Sequence, residues 1–244
     1  MTDKTAKWSI QEVINGSLRK DQNHKTSDYW YASELGTCQR KSTYRRKGIE
    51  PTEKLDDRTL RVFGAGDIFH DWIQKLIEQE GFLVKKEGEF FNAEHNLKGR
   101  YDLLAEKDGY RILYDIKTVH SRMFHWLEKS GGQAKDHHCC QLTAYKMFSG
   151  EKIDEARMLY LSKDDLCVSE IPVITEKYEQ QVIDELNSLN SFWEKGELPP
   201  QLPEIEDNKI NWICNFCSFK TLCRGENWKP KINEVSKKRK HFCR

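Results

Sequence analysis

No stretch of this chain approaches the roughly 18 consecutive apolar residues of a membrane-spanning helix. Its opening, MTDKTAKWSIQE, also lacks the apolar stretch of a secretory signal. A cytoplasmic protein with no membrane partner is the expectation. Strong charge of either sign is missing too, with a formal net charge of +1 at pH 7, so a polyanionic partner would be met at defined places rather than by an overall field. Internal repeats are absent, which removes solenoid architectures. The composition, 37% hydrophobic and 32% charged, is polar yet compatible with a folded core. Cysteine is not scarce: there are 8. In a reducing compartment they argue against a disulfide framework and toward metal or reactivity.

What charge there is comes in blocks. Residues 36–48, GTCQRKSTYRRKG, hold five basic residues and no acid, while Lys229 to Arg244 hold seven against one acid. Such patches suit a polyanion; the plain alternative is solvated surface, which is the preferred reading for the tail alone.

Apolar spacing predicts a short helix capped by Ser33, then a helical stretch carrying the first basic block. A long helix from about Arg58 to Glu80 is stopped by Gly81. Strands follow at 82–92, a hairpin at 99–119, a loop over 120–136 and a helix from His137 to Phe148. A second hairpin at 156–172 and an amphipathic helix at 175–195 lead to the proline-rich connector GELPPQLPEIED. This order implies an α/β domain, a mixed sheet flanked by helices.

The hairpin poses a chemical question. With Asp108-Gly109 as a two-residue turn, Asp102 stands opposite Asp115 on one face, and Lys117 lies two residues further along it. Like charges directly opposed across strands are destabilising. A divalent cation between them reverses the sign, because Mg²⁺ and Mn²⁺ prefer hard oxygen ligands. An ordinary surface hairpin with one exposed aspartate is an equal alternative from these residues alone.

Four short patterns occur in order: Gly66-Asp67-Ile68-Phe69-His70 (G-x-x-x-H), Asp102 in G-x-x-D, Asp115-Ile116-Lys117 (D-x-K) and Gln141 to Tyr145 (Q-x-x-x-Y). Together they resemble the RecB-like branch of the PD-(D/E)XK nuclease superfamily, over roughly residues 28–224. The resemblance implies a restriction-endonuclease-like core in which His70, Asp102, Asp115 and the Ile116 carbonyl hold Mg²⁺ or Mn²⁺. It makes Lys117 the catalytic lysine. Gln141 and Tyr145, sharing a helix face, would touch the substrate strand and brace the lysine. The neighbouring His137-His138-Cys139-Cys140 is no metal box, since consecutive helical residues point in different directions; Cys139 and Cys140 read as packing residues.

Cys214, Cys217 and Cys223 supply three thiolates, one short of a complete site. An iron–sulfur cluster is preferred and zinc is the alternative. In RecB-like nucleases with such a cluster the fourth cysteine comes from the N-terminal region, and Cys38 resembles it. A [4Fe–4S] staple would then join the two ends of the domain, leaving out Cys139, Cys140, Cys167 and Cys243. The implied organisation is an N-terminal helical segment (1–57), a nuclease core (58–199), a cysteine module (200–228) and a flexible basic tail (229–244). Arg40, Lys41, Arg45 and Arg46 would stand beside the DNA path.

This combination is similar to the CRISPR-associated RecB-like exonucleases of antiviral defence and their phage-borne relatives. It implies a metal-dependent exonuclease acting on single-stranded DNA or DNA overhangs, together with a CRISPR integrase complex during spacer acquisition. A phage or recombination end-processing nuclease, a non-catalytic DNA-end-binding adaptor and an iron–sulfur redox sensor are the alternatives. The intact Asp102, Asp115 and Lys117 speak against the adaptor.

Overall fold

Apolar and polar residues alternate from residue 97 to 119, and a turn-forming Asp-Gly interrupts them, so the chain folds back on itself there. In the computed structural model, which describes residues 9–20, 27–129, 131–203, 205–206 and 209–228, Asp108 and Gly109 have φ of 54° and 79°. Both lie in the left-handed region that a two-residue hairpin turn requires. Lys107 faces Tyr110 and Leu103 faces Tyr114, the register expected from the sequence.

Helix α1 (Ile10–Lys20) is followed by β1 (Trp30–Tyr31), α2 (Gln39–Arg46) and the long α3 (Asp57–Gln79). Strands β2 (Leu83–Asn92), β3 (Leu97–Lys107) and β4 (Tyr110–Val119) form a meander. Helices α4 (Ser121–Lys129) and α5 (Asp136–Phe148) lead to β5 (Glu155–Ser162), β6 (Val168–Pro172) and α6 (Glu179–Glu194). Short strands β7 (Ile205–Glu206) and β8 (Lys209–Ile210) precede α7 (Trp212–Asn215) and α8 (Lys220–Arg224). The main sheet runs β1-β3-β4-β5-β6, with β2 on β3. It is mixed, β1 with β3 and β4 with β5 being parallel.

One edge of β3 is taken by β2; the other is shared, β1 pairing at Leu97 and Lys98 and β4 from Leu103 onward. Asp102 lies in the gap between them. On one face Leu104, Leu113, Met158 and Tyr160 pack under Leu142 and Ala144 of α5 and Val182 and Leu186 of α6. On the other, Ile116, Leu159 and Leu161 meet Ile73, Phe69 and Ile77 of α3. Asp56 starts α3 by accepting from the Thr59 amide, and Gly81, at φ 77°, lies just past its end.

Three expectations are corrected. Residues 121–129 form a helix rather than a loop, because Phe124 and Leu127, three apart, enter the main core. Ser33 lies within a short 3₁₀ turn, Ala32–Glu34, that has no side-chain cap. The basic block is largely engaged within the protein. Arg45 makes paired contacts to Glu34 at 2.7 and 2.8 Å, and Arg46 lies 4.3 and 4.1 Å from the Trp30 and Trp193 ring centres. Arg40 donates to the Tyr44 hydroxyl and the Pro199 carbonyl. The tail 229–244, with Cys243, lies outside the described residues. Among the described residues no helix is long and apolar enough to cross a membrane.

The first segment and the cysteine module are held together by side chains. Glu53 accepts from the Thr221 amide and hydroxyl, and the Tyr44 and Phe219 rings lie 5.4 Å apart. Gly36, at φ +70°, comes so close to α5 that a Cβ would stand 2.7 Å from the His137 Cα. Its amide donates to Glu185 at 2.7 Å.

Burial pushes the Glu185 carboxyl up to about 7, against that amide bond. An acid raised in this way binds its proton more tightly when folded, so stability falls as pH rises from about 4.5 toward 7. Glu185→Gln keeps an acceptor and removes the charge. It should raise the melting temperature by a few degrees at pH 8, at about 2–4 °C per kcal/mol, and leave it unchanged at pH 5. Thermal melts at the two pH values check this.

Candidate active site

The hairpin brings its two carboxylates together where the strands part. Beyond the Leu103–Tyr114 pair, Asp102 Oδ2 accepts from the Ile116 backbone N–H at 2.6 Å. In an extended strand a residue's N–H and C=O point to the same side, so the Ile116 carbonyl also faces β3 while its side chain is buried under α3. Lys117 Nζ lies 2.8 Å from Asp115 Oδ2. From α5, Gln141 Nε2 donates to Asp115 Oδ1 at 2.9 Å and to the Tyr145 hydroxyl at 2.6 Å. Residues 141 and 145, one turn apart, thus brace Asp115 together. His70 Nδ1 approaches from α3 to 3.7 Å from Asp102 Oδ1.

These contacts link His70 to Asp102, and Lys117, Gln141 and Tyr145 to Asp115. Asp115 stands outside the group of ligand atoms within 4.8 Å of one another around His70 and Asp102. Sequence reading missed two residues. Glu87 on β2 has φ 51°, uncommon for a residue other than glycine and a local strain of order 1–3 kcal/mol. Its carboxylate, His70 and Asp102 bring ligand atoms within 4.8 Å of one another. Gln74 Nε2 donates to Glu87 and to the Asp102 carbonyl at 2.8 and 2.9 Å, tying α3 to both strands. The signal available was Glu87-Gly88 inside an alternating strand, a pattern that marks local irregularity.

Electrostatics explain what this arrangement wants. Burial first, and the Asp115 charge second, push the Asp102 carboxyl up to about 8. Burial works against the Lys117 ammonium, yet Asp115 and Asp102 outweigh it and hold its pKa above the ordinary lysine value. Burial also lowers His70, with Asp115 opposing, so its imidazole is available as a neutral nitrogen ligand. Asp115 is 1% exposed, and its Oδ2 accepts no well-aligned hydrogen bond. The raised Asp102 pKa marks a site short of positive charge, where a proton is kept in place of a cation. Hard oxygens with a nitrogen suit a divalent cation such as Mg²⁺ or Mn²⁺, so the residues present fit one.

The PD-(D/E)XK nuclease superfamily model matches residues 74–224, more than half of the chain. The chain belongs to the PD-(D/E)XK nuclease superfamily. The matched span takes in Asp102, Asp115, Lys117, Gln141 and Tyr145, whereas His70 and Cys38 precede it. No curated protein matches the chain. The crystal structure of SSO0001 is similar with a TM-score of 0.55 and 20% identity, covering 88% of this chain and 96% of that one. An alkaline exonuclease, LHK-Exo from Laribacter hongkongensis, aligns with a TM-score of 0.48 and 12% identity, over 74% of this chain and 93% of that one. At these identities the likeness concerns the fold. PD-(D/E)XK nucleases use divalent metals, and the donor set described above is of that kind.

Glu87 can be tested apart from the other ligands. Glu87→Gly removes a carboxylate and relieves the backbone strain, so two readouts should move in opposite directions. Mn²⁺ affinity should fall by about 10- to 100-fold in calorimetric titration, while thermal stability holds or rises.

A second constellation lies between the first segment and the cysteine module. Cys38, Cys214, Cys217 and Cys223 line one pocket, with Arg40, Lys41 and Tyr44 beside them. Cys38 stands at the N-cap of α2. Burial pushes the Cys38 and Cys217 thiols up, while backbone N–H groups of Arg40 and Lys41 at Cys38, and of Phe219 at Cys217, pull the other way. Among the described residues no three cysteine sulfurs lie within 4.8 Å of one another. Cys139 and Cys140 are buried in the core, and Cys167 is exposed.

Proposed function

We propose that this PD-(D/E)XK nuclease is a Mg²⁺- or Mn²⁺-dependent deoxyribonuclease that hydrolyses phosphodiester bonds from an end of single-stranded DNA. The observation that carries the reading is the buried pair Asp102 and Asp115 with Lys117 beside them, a cluster in which Asp102 keeps a proton that a cation could replace. His70, Asp102, Asp115 and the Ile116 carbonyl, with Glu87 added, would hold the metal. A divalent cation there supplies Lewis acidity toward a phosphoryl oxygen and lowers the pKa of bound water.

The remaining work belongs to the chain. Gln141, fixed between Asp115 and Tyr145, keeps the Asp115 carboxylate turned into the site. Lys117, held protonated by the two aspartates, offers its ammonium to the negative charge that grows on the phosphate in the transition state. Gln74 holds Glu87 and the β3 backbone in register with α3. The test is cleavage of end-labelled single-stranded DNA with Mg²⁺ or Mn²⁺; activity persisting in excess EDTA would overturn the metal reading.

The reading extends to a [4Fe–4S] cluster on Cys38, Cys214, Cys217 and Cys223, joining the N-terminal segment to the cysteine module. Their common pocket supports it. As for pathway, trimming of overhangs during CRISPR spacer acquisition is preferred over phage or recombination end processing. Integrase genes and a repeat array beside the gene distinguish the two.

A further inference from the structure

A line of neighbouring side chains runs from Lys117 to the surface. Lys117 pairs with Tyr160 across β4 and β5, so both side chains rise from the same face of the sheet. The Tyr160 hydroxyl lies 2.8 Å from His138 Nδ1. The His138 and His137 rings are 4.2 Å apart, and His137 lies 5.2 Å from the Trp212 ring at a tilt of 43°. Lys135 Nζ stands 5.8 Å from the centre of the same indole. His137 is also one turn before Gln141 on α5, on the same helix face.

The plain account of Trp212 is a latch that holds the cysteine module on α5. Trp30 is the chain's own example of an indole with a packing role: it is 1% exposed, and its N–H donates to Asn190. Trp212 is 52% exposed. Half of a large aromatic surface is left open beside a cation, a few side chains from the catalytic lysine. Burial, then Lys135 and Lys117, push His137 down to about 4, so at neutral pH it backs the indole as an uncharged ring.

We propose that Trp212, with His137 behind it and Lys135 at its edge, is a stacking platform for one unpaired nucleobase of the DNA strand whose phosphate enters the Asp102–Asp115–Lys117 centre. This rests on the DNA reading above and adds where the strand is gripped and why it must be single. Every base has a π-face, so stacking on an indole tolerates any sequence, while an ammonium nearby meets the backbone charge. A paired base keeps its faces inside the duplex and would have to be extruded first. The platform therefore selects unpaired DNA without selecting its sequence.

Binding of a labelled single-stranded oligonucleotide, followed by fluorescence anisotropy in EDTA so that no cleavage occurs, tests this. Trp212→Ala should weaken binding roughly 5- to 150-fold, while Trp212→Phe retains most of it. Oligonucleotides with a single abasic site, stepped along the strand, should bind the wild-type protein more weakly at one position by a comparable factor. Trp212→Ala should no longer distinguish that oligonucleotide from the intact one. Equal loss for intact and abasic strands in Trp212→Ala, or no preferred abasic position in the wild type, would overturn the platform while leaving the nuclease reading standing. Wild-type protein that binds no single-stranded DNA would remove both. The wild-type abasic scan can overturn the platform even where Trp212→Ala fails to fold, and Trp212→Phe, which keeps a ring, should preserve the preferred position.

Discussion

Asp102→Ala and Asp115→Ala should each lose Mn²⁺ binding and DNA cleavage together, while Lys117→Ala should keep the metal and lose only turnover. The separation follows from what each group does. A carboxylate is a ligand, so its removal empties the site and takes the chemistry with it. The lysine is not a ligand; it competes with the metal for Asp115, at 2.8 Å from one of its oxygens. Its removal should even tighten Mn²⁺ binding somewhat, while cleavage falls by at least about 10²- to 10³-fold as transition-state charge goes unanswered. Calorimetric titration and single-turnover cleavage read the two effects apart. Lys117→Ala with wild-type turnover would sink the assignment of the lysine.

A pH dependence accompanies this. The Asp102 carboxyl is pushed up to about 8 when no cation is present, so below that pH a metal must displace a proton. Affinity should climb with pH toward about 8 and then level off. Below that point binding should release a proton, detectable as a dependence of the apparent heat on the buffer's ionisation enthalpy.

The hairpin was legible because its signals are local. Asp108-Gly109 fixes the turn type, the turn fixes the register, and the register carries Asp102 to Asp115. Gln141 and Tyr145 were legible through the resemblance of Q-x-x-x-Y to a family motif, since helical spacing puts them on one face but fits an ordinary amphipathic helix equally well. Residues whose role depends on distant partners were not. Arg45 and Arg46 read as solvated or DNA-facing charge, yet Glu34 takes the first and the rings of Trp30 and Trp193 enclose the second. Nothing near residue 46 in sequence announces Trp193. Glu87 was missed for a different reason. It reaches the site through a left-handed φ inside a strand, and alternation cannot express such a kink.

Cys38→Ala should bleach the protein and lower its melting temperature as much as Cys214→Ala does. Protein purified without oxygen is expected to be brown, with iron in about fourfold excess over chain. With a cluster bound, the two cysteines would close a loop spanning most of the chain, and opening it would return considerable entropy to the unfolded state. The fall should still be partial. Glu53 on Thr221 and Tyr44 on Phe219 join the same two segments without any cluster, so both variants should fold and remain comparable. Cys139→Ala and Cys140→Ala should behave differently from either: a buried thiol lost from the core costs packing but leaves colour and iron in place. Cys243→Ala should change neither colour nor stability. A colourless protein with one zinc, or a Cys38→Ala variant with full iron content, would defeat the cluster assignment. The chemistry at Asp102, Asp115 and Lys117 would stand, because no ligand of the metal centre lies in the cysteine pocket.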